Sequence, residues 1–238
     1  MQEKPYDKKE LEASLGYTFN DISILETALT HSSYSNELKL KHIESECNER
    51  LEFLGDSVLS IIVSEYLYGH YSRRPEGELT KMRAAVVCED ALSKFAEKID
   101  LGNYLLLGRG EEKNNGRRRK SITADAFEAV LAAIYLDAGK YGKAMVSRFV
   151  LPFIIEELRQ FENDGIHKDY KTLLQQIVQQ AEGEKLEYVT VGESGPDHDK
   201  RFEVEARLNS NVIGRGVGRS KRQAEQLAAS EAIKLFGE

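Results

Sequence analysis

The chain has 238 residues and a formal net charge of −7, with the composition of an ordinary soluble globular protein. This length predicts one large domain or two small ones. The negative balance excludes nucleic-acid binding through bulk charge, so any such function must depend on locally placed cations. The two cysteines, Cys47 and Cys88, fit no metal or redox spacing.

The ends and apolar runs of the sequence indicate no membrane association. The N-terminal stretch MQEKPYDKKE is charged and has no apolar segment typical of a signal peptide. The longest wholly apolar run, AVLAAIYL at 129–136, is far too short to span a bilayer. We therefore expect a cytoplasmic protein.

Hydrophobic periodicity divides the chain into two parts. The first part is helical nearly throughout, with apolar residues at helical spacing in 22–30, 51–67, 79–99, 122–137 and 143–160. The second part has a different pattern, with a helix at 170–181, alternating strands at 187–191, 201–208 and 211–218, and a last helix from about 221 to 236. The polar segment between the parts contains Gly165 and reads as a linker. The sequence thus predicts an all-α domain at 1–162, a linker at 163–167 and a small α-β-β-β-α domain at 168–238.

The stretch NERLEFLGDSVLS, residues 48–60, carries three carboxylates on one face of a predicted helix. These are Glu49, Glu52 and Asp56, with apolar residues on the opposite side. Taken alone, the segment reads as an amphipathic helix with a solvated acidic face. Phe53 lies on the acidic flank, where it is poorly placed for its own core. We expect it to insert into a pocket of a second subunit as an interface anchor.

A second acidic pair lies in SITADAFEAVLAAIYLDAG, residues 121–139. Asp125 and Glu128 are three residues apart, on one face of a helix that is otherwise apolar almost all round and is therefore buried. Buried carboxylates are costly unless they are paired or bind metal, and no Lys or Arg lies between Ser121 and Gly139. A salt bridge to a distant arginine is one solution. A divalent metal site between the two acidic helices is the simpler one.

The ligand types indicate a hard metal ion. Carboxylates without His or Cys suit Mg²⁺ or Mn²⁺. A di-iron bundle would require Glu-x-x-His on the ligand helices, and no histidine has that spacing. Two Mg²⁺ ions can stabilise the attacking and leaving oxygens of a phosphodiester displacement. The site predicts a phosphodiesterase, a nuclease or another Mg²⁺-phosphate enzyme.

The stretch GRGVGRSKRQAE opens the last helix and concentrates positive charge. Ser220 is a natural N-cap, and Gln223 completes a capping-box pattern. Basic residues in a first turn oppose the helix dipole unless an anion binds there. Four cations cluster within eight residues: Arg215, Arg219, Lys221 and Arg222.

The first helix of the same domain adds uncharged hydrogen-bonding groups. Thr172, Gln175 and Gln179 can reach 2′-hydroxyls or base edges. Double-stranded RNA is recognised mostly through shape, phosphates and 2′-hydroxyl groups. No aromatic platform of the kind used for single strands is evident. The domain therefore favours duplex RNA as its partner.

Several motifs together resemble the bacterial ribonuclease III family. NERLEFLGDSVLS is similar to its signature, and SITADAFEA to its second catalytic motif, with Thr123 where the family usually has Leu. HSSYSNE at 31–37 and EGELTKMRAAVV at 76–87 are also similar to family segments. KDYKTLLQQIVQ, GPDHDKRFEVE and GRGVGRSKRQAEQLAA resemble the family's double-stranded-RNA-binding domain. The resemblance implies a homodimeric helical endonuclease domain followed by that small domain.

The resemblance also implies roles for individual residues. Asp56 and Glu128 match the catalytic pair. The metal ligands would be Glu52, Asp125 and Glu128, flanked by Glu49 and Glu76. His198 would contact the minor groove, beside the other predicted RNA-binding residues Thr172, Gln175, Gln179, Arg219, Lys221 and Arg222. By itself, His31 reads as a helix-end residue, and GRRRK at 116–120 reads either as a solvated loop or as an RNA-backbone contact.

The predicted activity is Mg²⁺-dependent hydrolysis of double-stranded RNA, with Mn²⁺ able to substitute and no small-molecule cofactor. The resemblance implies 5′-phosphate and 3′-hydroxyl ends with short 3′ overhangs, and a role in processing rRNA, mRNA and other structured precursors. A duplex-RNA-binding regulator that does not cleave is the alternative. A Mg²⁺ enzyme acting on small phosphate esters would leave the C-terminal domain without a purpose.

Overall fold

In the computed structural model the chain forms two compact units, residues 1–160 and 161–238. The structure describes residues 8–163, 170–179, 184–196 and 200–236, so most of the predicted linker lies outside it. The first unit is helical and the second has the order α-β-β-β-α, which confirms the predicted fold class. Within the described residues, no helix is both long and apolar enough to cross a bilayer.

The helices of the first unit surround one central helix, α8. Their bounds are α1 Lys8–Leu15, α2 Ile22–Ala28, α3 Ser32–Lys39, α4 Glu49–His70, α5 Glu76–Val86, α6 Glu89–Lys98, α7 Arg109–Lys113, α8 Lys120–Asp137 and α9 Gly142–Asn163. Short 3-10 turns occupy Leu101–Tyr104, Gly116–Arg118 and Gly139–Tyr141. Helices α2, α4 and α6 all pack against α8.

Helix α8 is the core of this unit. From Ile122 to Ile134, every side chain except those of Asp125 and Glu128 is buried. Phe127 of α8 is fully buried and packs against the rings of three phenylalanines from α6 and α9, at centroid distances of 5.8–6.3 Å: Phe95, Phe149 and Phe153. Burying a side chain of this size contributes about 1.5–3 kcal/mol. The apolar surroundings thus isolate the two carboxylates of α8.

The continuous helix expected at 79–99 is interrupted. Helix α5 ends at Val86, and Cys88 adopts an extended conformation (φ −76°, ψ 159°) as the N-cap of α6. Apolar periodicity runs across the break because Val86 and Ala91 are both buried. The acidic residues in the first turn of α6 suit the positive end of a helix dipole and mark the new start.

The second unit packs two helices on one face of an antiparallel sheet of order β1-β2-β3. Its elements are α10 Tyr170–Gln179, β1 Leu186–Ser194, β2 Arg201–Leu208, β3 Asn211–Gly218, α11 Lys221–Ile233 and a 3-10 turn at Lys234–Phe236. Leu174 and Val178 of α10 meet Val204 and Ala206 of β2 in the core. Alternation in β2 therefore places its apolar side chains under the helices, as the sequence predicts.

Glycines of β3 allow α11 to lie directly on the strand. A Cβ atom at Gly214 or Gly216 would overlap a carbonyl oxygen of α11, and one at Gly218 would crowd the backbone of Ala224. The G-x-G-x-G pattern is therefore a packing surface for a helix. Because side chains alternate along a strand, the residues between these glycines point to the other face of the sheet.

A single glycine also sets the distance between α4 and α8. A Cβ atom at Gly55 would overlap the carbonyl oxygen of Glu128. This contact brings the two acidic helices together at the level of their carboxylates. Gly69, near the end of the same helix, has nothing within 4 Å of its Cβ position.

We predict that Gly55→Ala lowers the free energy of unfolding by about 1–3 kcal/mol, because overlap with backbone is not relieved by a side-chain rotation and outweighs the gain in helix propensity. Gly69→Ala is the matched control and should be neutral or slightly stabilising. Urea denaturation of both variants makes the comparison. Equal stability of Gly55→Ala and wild type would contradict the close contact.

Candidate functional site

Helices α4 and α8 bring four carboxylates together. Oxygens of Glu52, Asp125 and Glu128 lie within 4.8 Å of one another, and all three side chains are half-buried. Asp56 is exposed and lies outside this trio, but its charge acts on both Glu128 and Glu52. The predicted metal ligands therefore meet in one place, with the second predicted catalytic carboxylate beside them.

The electrostatics of this cluster disfavour its own ionisation. Burial, together with the charges of Asp56, Glu52 and Asp125, raises the pKa of Glu128 to about 8. Burial and neighbouring carboxylates also raise the pKa values of Glu52 and Asp125. In the described part of the chain, no hydrogen bond or ion pair compensates these three groups. A salt bridge to a distant arginine is thus not the solution that the described residues adopt.

The donor set fits a hard divalent cation. The trio offers oxygen ligands alone, which suits Mg²⁺ or Mn²⁺. A cation would offset the mutual repulsion of the carboxylates, since binding favours their ionised forms. Glu52, Asp125 and Glu128 are the residues that could hold it.

The two residues predicted to flank the metal ligands have different surroundings. Glu49, the first residue of α4, is exposed and its charge contributes to the raised pKa of Glu52. Glu76, the first residue of α5, accepts a hydrogen bond from the Thr80 hydroxyl at 2.7 Å and is not a member of the trio. Phe53 is 78% exposed, so it is not part of the core of the first unit.

The basic run GRRRK is largely occupied by internal contacts. Arg117 donates to the carbonyl oxygens of three residues at 2.9–3.1 Å and pairs with Glu112 at 2.7 Å. Arg119 pairs with Glu111. Lys120 pairs with Asp90 at 2.6 Å. Most of this run therefore holds the loop before α8 in place.

Those predicted RNA-binding residues that the structure describes lie at the surface of the second unit. Thr172, Gln175 and Gln179 are exposed on α10, and Arg219, Lys221 and Arg222 are exposed at the start of α11. His198 lies outside the described residues. The Ser220 hydroxyl accepts from the Gln223 N–H at 3.2 Å, and the Gln223 side chain accepts from the Arg219 N–H at 2.7 Å. The predicted cap is confirmed, and it fixes the backbone from which the three cations project.

Arg215 does not join these cations, contrary to the charge cluster read from the sequence. It lies between glycines that face α11, so its side chain points to the opposite face of the sheet. There it pairs with the buried Glu205 at 2.9 Å, and Arg207 pairs with the same carboxylate at 2.7 Å. The strand alternation thus gives Arg215 a structural partner.

The raised pKa of Glu128 predicts an unusual pH dependence for the metal-free protein. Its ordinary value of 4.5 rises to about 8 in the folded state, so the folded chain binds this proton more tightly than the unfolded chain. The resulting stabilisation is full below pH 4.5 and is lost as pH rises through about 8. We expect the free energy of unfolding in EDTA to fall across this window. Glu128→Gln should flatten the dependence, and equal slopes in the two proteins would contradict the assignment.

Comparison with known proteins gives the same division of the chain. Residues 21–158 match the family model described as ribonuclease-III-like, and residues 170–235 match the double-stranded RNA binding motif. Curated relatives named ribonuclease 3 include one from Borreliella afzelii, 48% identical over 98% of this chain and 93% of the relative. Another, from Caldanaerobacter subterraneus, is 47% identical over 95% of this chain and 97% of the relative.

A solved structure also matches the first unit. It is the nuclease domain of ribonuclease III from Campylobacter jejuni, described for structural flexibility in a region involved in dimer formation. The TM-score is 0.57 at 40% identity, over 63% of this chain and 98% of that one. With near-complete coverage by relatives and two matching family models, the chain belongs to the ribonuclease III family.

Proposed function

We propose that this protein is a Mg²⁺-dependent endoribonuclease that hydrolyses double-stranded RNA. The observation that carries the proposal is the uncompensated carboxylate cluster between α4 and α8, in a chain that also matches a double-stranded RNA binding motif. The products would have 5′-phosphate and 3′-hydroxyl ends with short 3′ overhangs. Precursors of rRNA, mRNA and other structured RNAs are the proposed substrates, and Mn²⁺ would substitute for Mg²⁺.

Each carboxylate has a distinct part in this mechanism. Glu52, Asp125 and Glu128 would hold the ion, which when bound neutralises charge on the phosphate and activates water. Glu128 would bind the ion in its ionised form, because a cation would offset the burial and the neighbouring carboxylates that raise its pKa. Asp56 is exposed beside Glu128, where it can accept a hydrogen bond from the attacking water. Glu49 and Glu76 would add negative potential at the edge of the site.

The test of this proposal is Glu128→Gln, which keeps the side-chain volume and removes one charge. Loss of a metal ligand falls mainly on the transition state, where charge develops on the phosphate. Single-turnover cleavage at saturating enzyme should therefore fall by orders of magnitude. Affinity for duplex RNA, measured by filter binding without cleavage, should stay within several-fold of wild type, and Asp56→Asn should behave similarly.

Glu97 provides a matched control, because it is an exposed glutamate of α6 outside the cluster. Glu97→Gln should cleave at the wild-type rate. A normal single-turnover rate for Glu128→Gln would remove the proposal. Duplex binding without cleavage by the wild-type protein, at every Mg²⁺ and Mn²⁺ concentration, would favour the non-cleaving regulator instead.

The second unit supplies the proposed grip on duplex RNA. Lys221 and Arg222 project from the capped N-terminus of α11, where helix dipole and side-chain charge both attract phosphate. Thr172, Gln175 and Gln179 on α10 would contact 2′-hydroxyl groups, and His198 the minor groove. Lys221 lies 3.6 Å from Glu193 in the free protein, a weak pairing at an exposed site that phosphate can replace.

We predict that replacing Lys221 and Arg222 together by Ala weakens duplex binding and reduces the salt slope by about 1–2 units, the loss of two phosphate contacts. Lys234→Ala, in the 3-10 turn that follows the far end of α11, is the control and should leave the slope unchanged. Affinity is measured across a series of salt concentrations. An unchanged slope in the double variant would place the RNA surface elsewhere.

We also propose that the protein is a homodimer anchored by Phe53. The Phe53 ring is 78% exposed on α4, the helix that carries part of the acidic cluster. The same unit has an open cavity of about 650 Å³ whose apolar lining includes Ile24, Leu51, Leu54 and Leu136. Phe53 of one subunit would enter this cavity of the other, and two-fold symmetry would repeat the contact. Two sites facing opposite strands would then cut both strands of one duplex.

Phe53→Ala should weaken this dimer, because a buried aromatic anchor carries a large share of interface energy. Sedimentation over a concentration series measures the change in dissociation constant. Leu235→Ala controls for loss of an exposed apolar side chain, since Leu235 is 70% exposed in the second unit. A wild-type protein that is monomeric at micromolar concentration would contradict the proposal.

A further inference from the structure

Two lysines from different elements of the second unit meet at one aromatic ring. Lys200 immediately precedes β2, and its Nζ lies 5.6 Å from the centroid of the Phe202 ring. Lys221 is the first residue of α11, and its Nζ lies 5.7 Å from the same centroid. Cation–π attraction favours both positions. We call Lys200 and Lys221 the lysine pair, of which only Lys221 is among the RNA-binding residues that the sequence predicts.

The carboxylate of Glu193 bridges the lysine pair. Its Oε2 lies 2.8 Å from Nζ of Lys200, and its Oε1 lies 3.6 Å from Nζ of Lys221. Glu193 of β1 is paired with Phe202 of β2, and residues directly opposite each other in an antiparallel sheet have neighbouring side chains on one face. The hydrogen bond from Lys200 and the charges of both lysines lower the pKa of Glu193. The carboxylate is therefore ionised at neutral pH and offsets the repulsion between the two cations.

The bridging carboxylate accepts from the ammonium groups that a phosphate of RNA would use. Carboxylate and phosphate oxygens both accept charge-assisted hydrogen bonds from lysine. Lys221 lies at the N-terminus of α11, where the helix dipole also favours an anion. All three side chains are exposed, and exposed ion pairs are weak and screened by salt. A phosphate can therefore reach the lysine pair and displace Glu193.

We propose that the lysine pair is a phosphate clamp for duplex RNA and that Glu193 is its internal competitor, which phosphate must displace. Lys200 is then a further RNA-binding residue, and Phe202 positions both ammonium groups. Two lysines and one carboxylate give the clamp a net charge of +1, so Glu193 lowers both the affinity for RNA and its dependence on salt. This inference rests on the proposed binding of duplex RNA by the second unit.

Glu193→Gln tests the competition, because it keeps the side-chain volume and removes the negative charge. Affinity of the full chain for a long perfect RNA duplex is measured by filter binding in EDTA, across a series of salt concentrations. We expect the affinity at low salt to rise several-fold and the salt slope to steepen by about 1 unit. Glu187→Gln is the matched control, since Glu187 lies at the other end of β1 in an exposed pair with Lys185 at 2.6 Å. The affinity and slope of this control should equal those of wild type.

Lys200→Ala tests the second lysine and should make the salt slope shallower by about 1 unit. In a chain with Ala at both positions of the lysine pair, Glu193→Gln should no longer raise the affinity several-fold, because interacting groups give non-additive effects. The inference would be overturned by an affinity of Glu193→Gln equal to or below that of wild type, by a full gain without the lysine pair, or by a wild-type slope in Lys200→Ala. A wild-type chain that does not bind the duplex, or an unchanged slope when Lys221 and Arg222 are both replaced by Ala, would instead overturn the proposed RNA surface.

Discussion

The backbone contact between Gly55 of α4 and Glu128 of α8 is the constraint on which the acidic site depends. Without a Cβ on α4, the two helices approach closely enough for Glu52 to lie beside Asp125 and Glu128. The apolar faces of α8 make this approach favourable, because the helix is buried against α2, α4 and α6. Packing energy from the core thus holds together carboxylates that repel each other.

Clustering the carboxylates lowers local stability, but it places oxygen ligands where a cation could bind. Burial and the neighbouring carboxylates raise the pKa of Glu128, so the ionised cluster is unfavourable when no positive charge is present. Natural proteins break the rules of good packing mainly at functional sites, and the surrounding structure compensates. In this chain the compensation is the almost wholly apolar helix α8 and its phenylalanine contacts. The second unit has the opposite character, because its surface cations project from a capped helix end.

The sequence predicted most of the fold because the strongest patterns are the ones that tertiary packing uses. Helix α8 and strand β2 follow directly from their apolar spacing. The trio was also predictable, because Asp125 and Glu128 are carboxylates within an otherwise almost wholly apolar stretch of α8. The position of Phe53 on the acidic flank agrees with its exposure.

Other features depend on contacts between distant segments, which periodicity does not encode. The role of Gly55 requires knowing that α8 crosses α4 at that residue. Arg215 was grouped with the other cations because it is close to them in sequence. The alternation of side chains along β3 instead decides which face of the sheet Arg215 occupies. The break at Cys88 was not predicted, because the apolar spacing of the sequence continues across it.

Anomalous diffraction from crystals of the full chain soaked in Mn²⁺ tests the central claim most directly. The account predicts a strong Mn²⁺ peak coordinated by oxygens of Glu52, Asp125 and Glu128, at the all-oxygen distances of hard divalent ions. The same peak should disappear from crystals of Glu128→Gln. An ion bound elsewhere with this trio empty, or a lysine or arginine seated among the three carboxylates, would contradict the account.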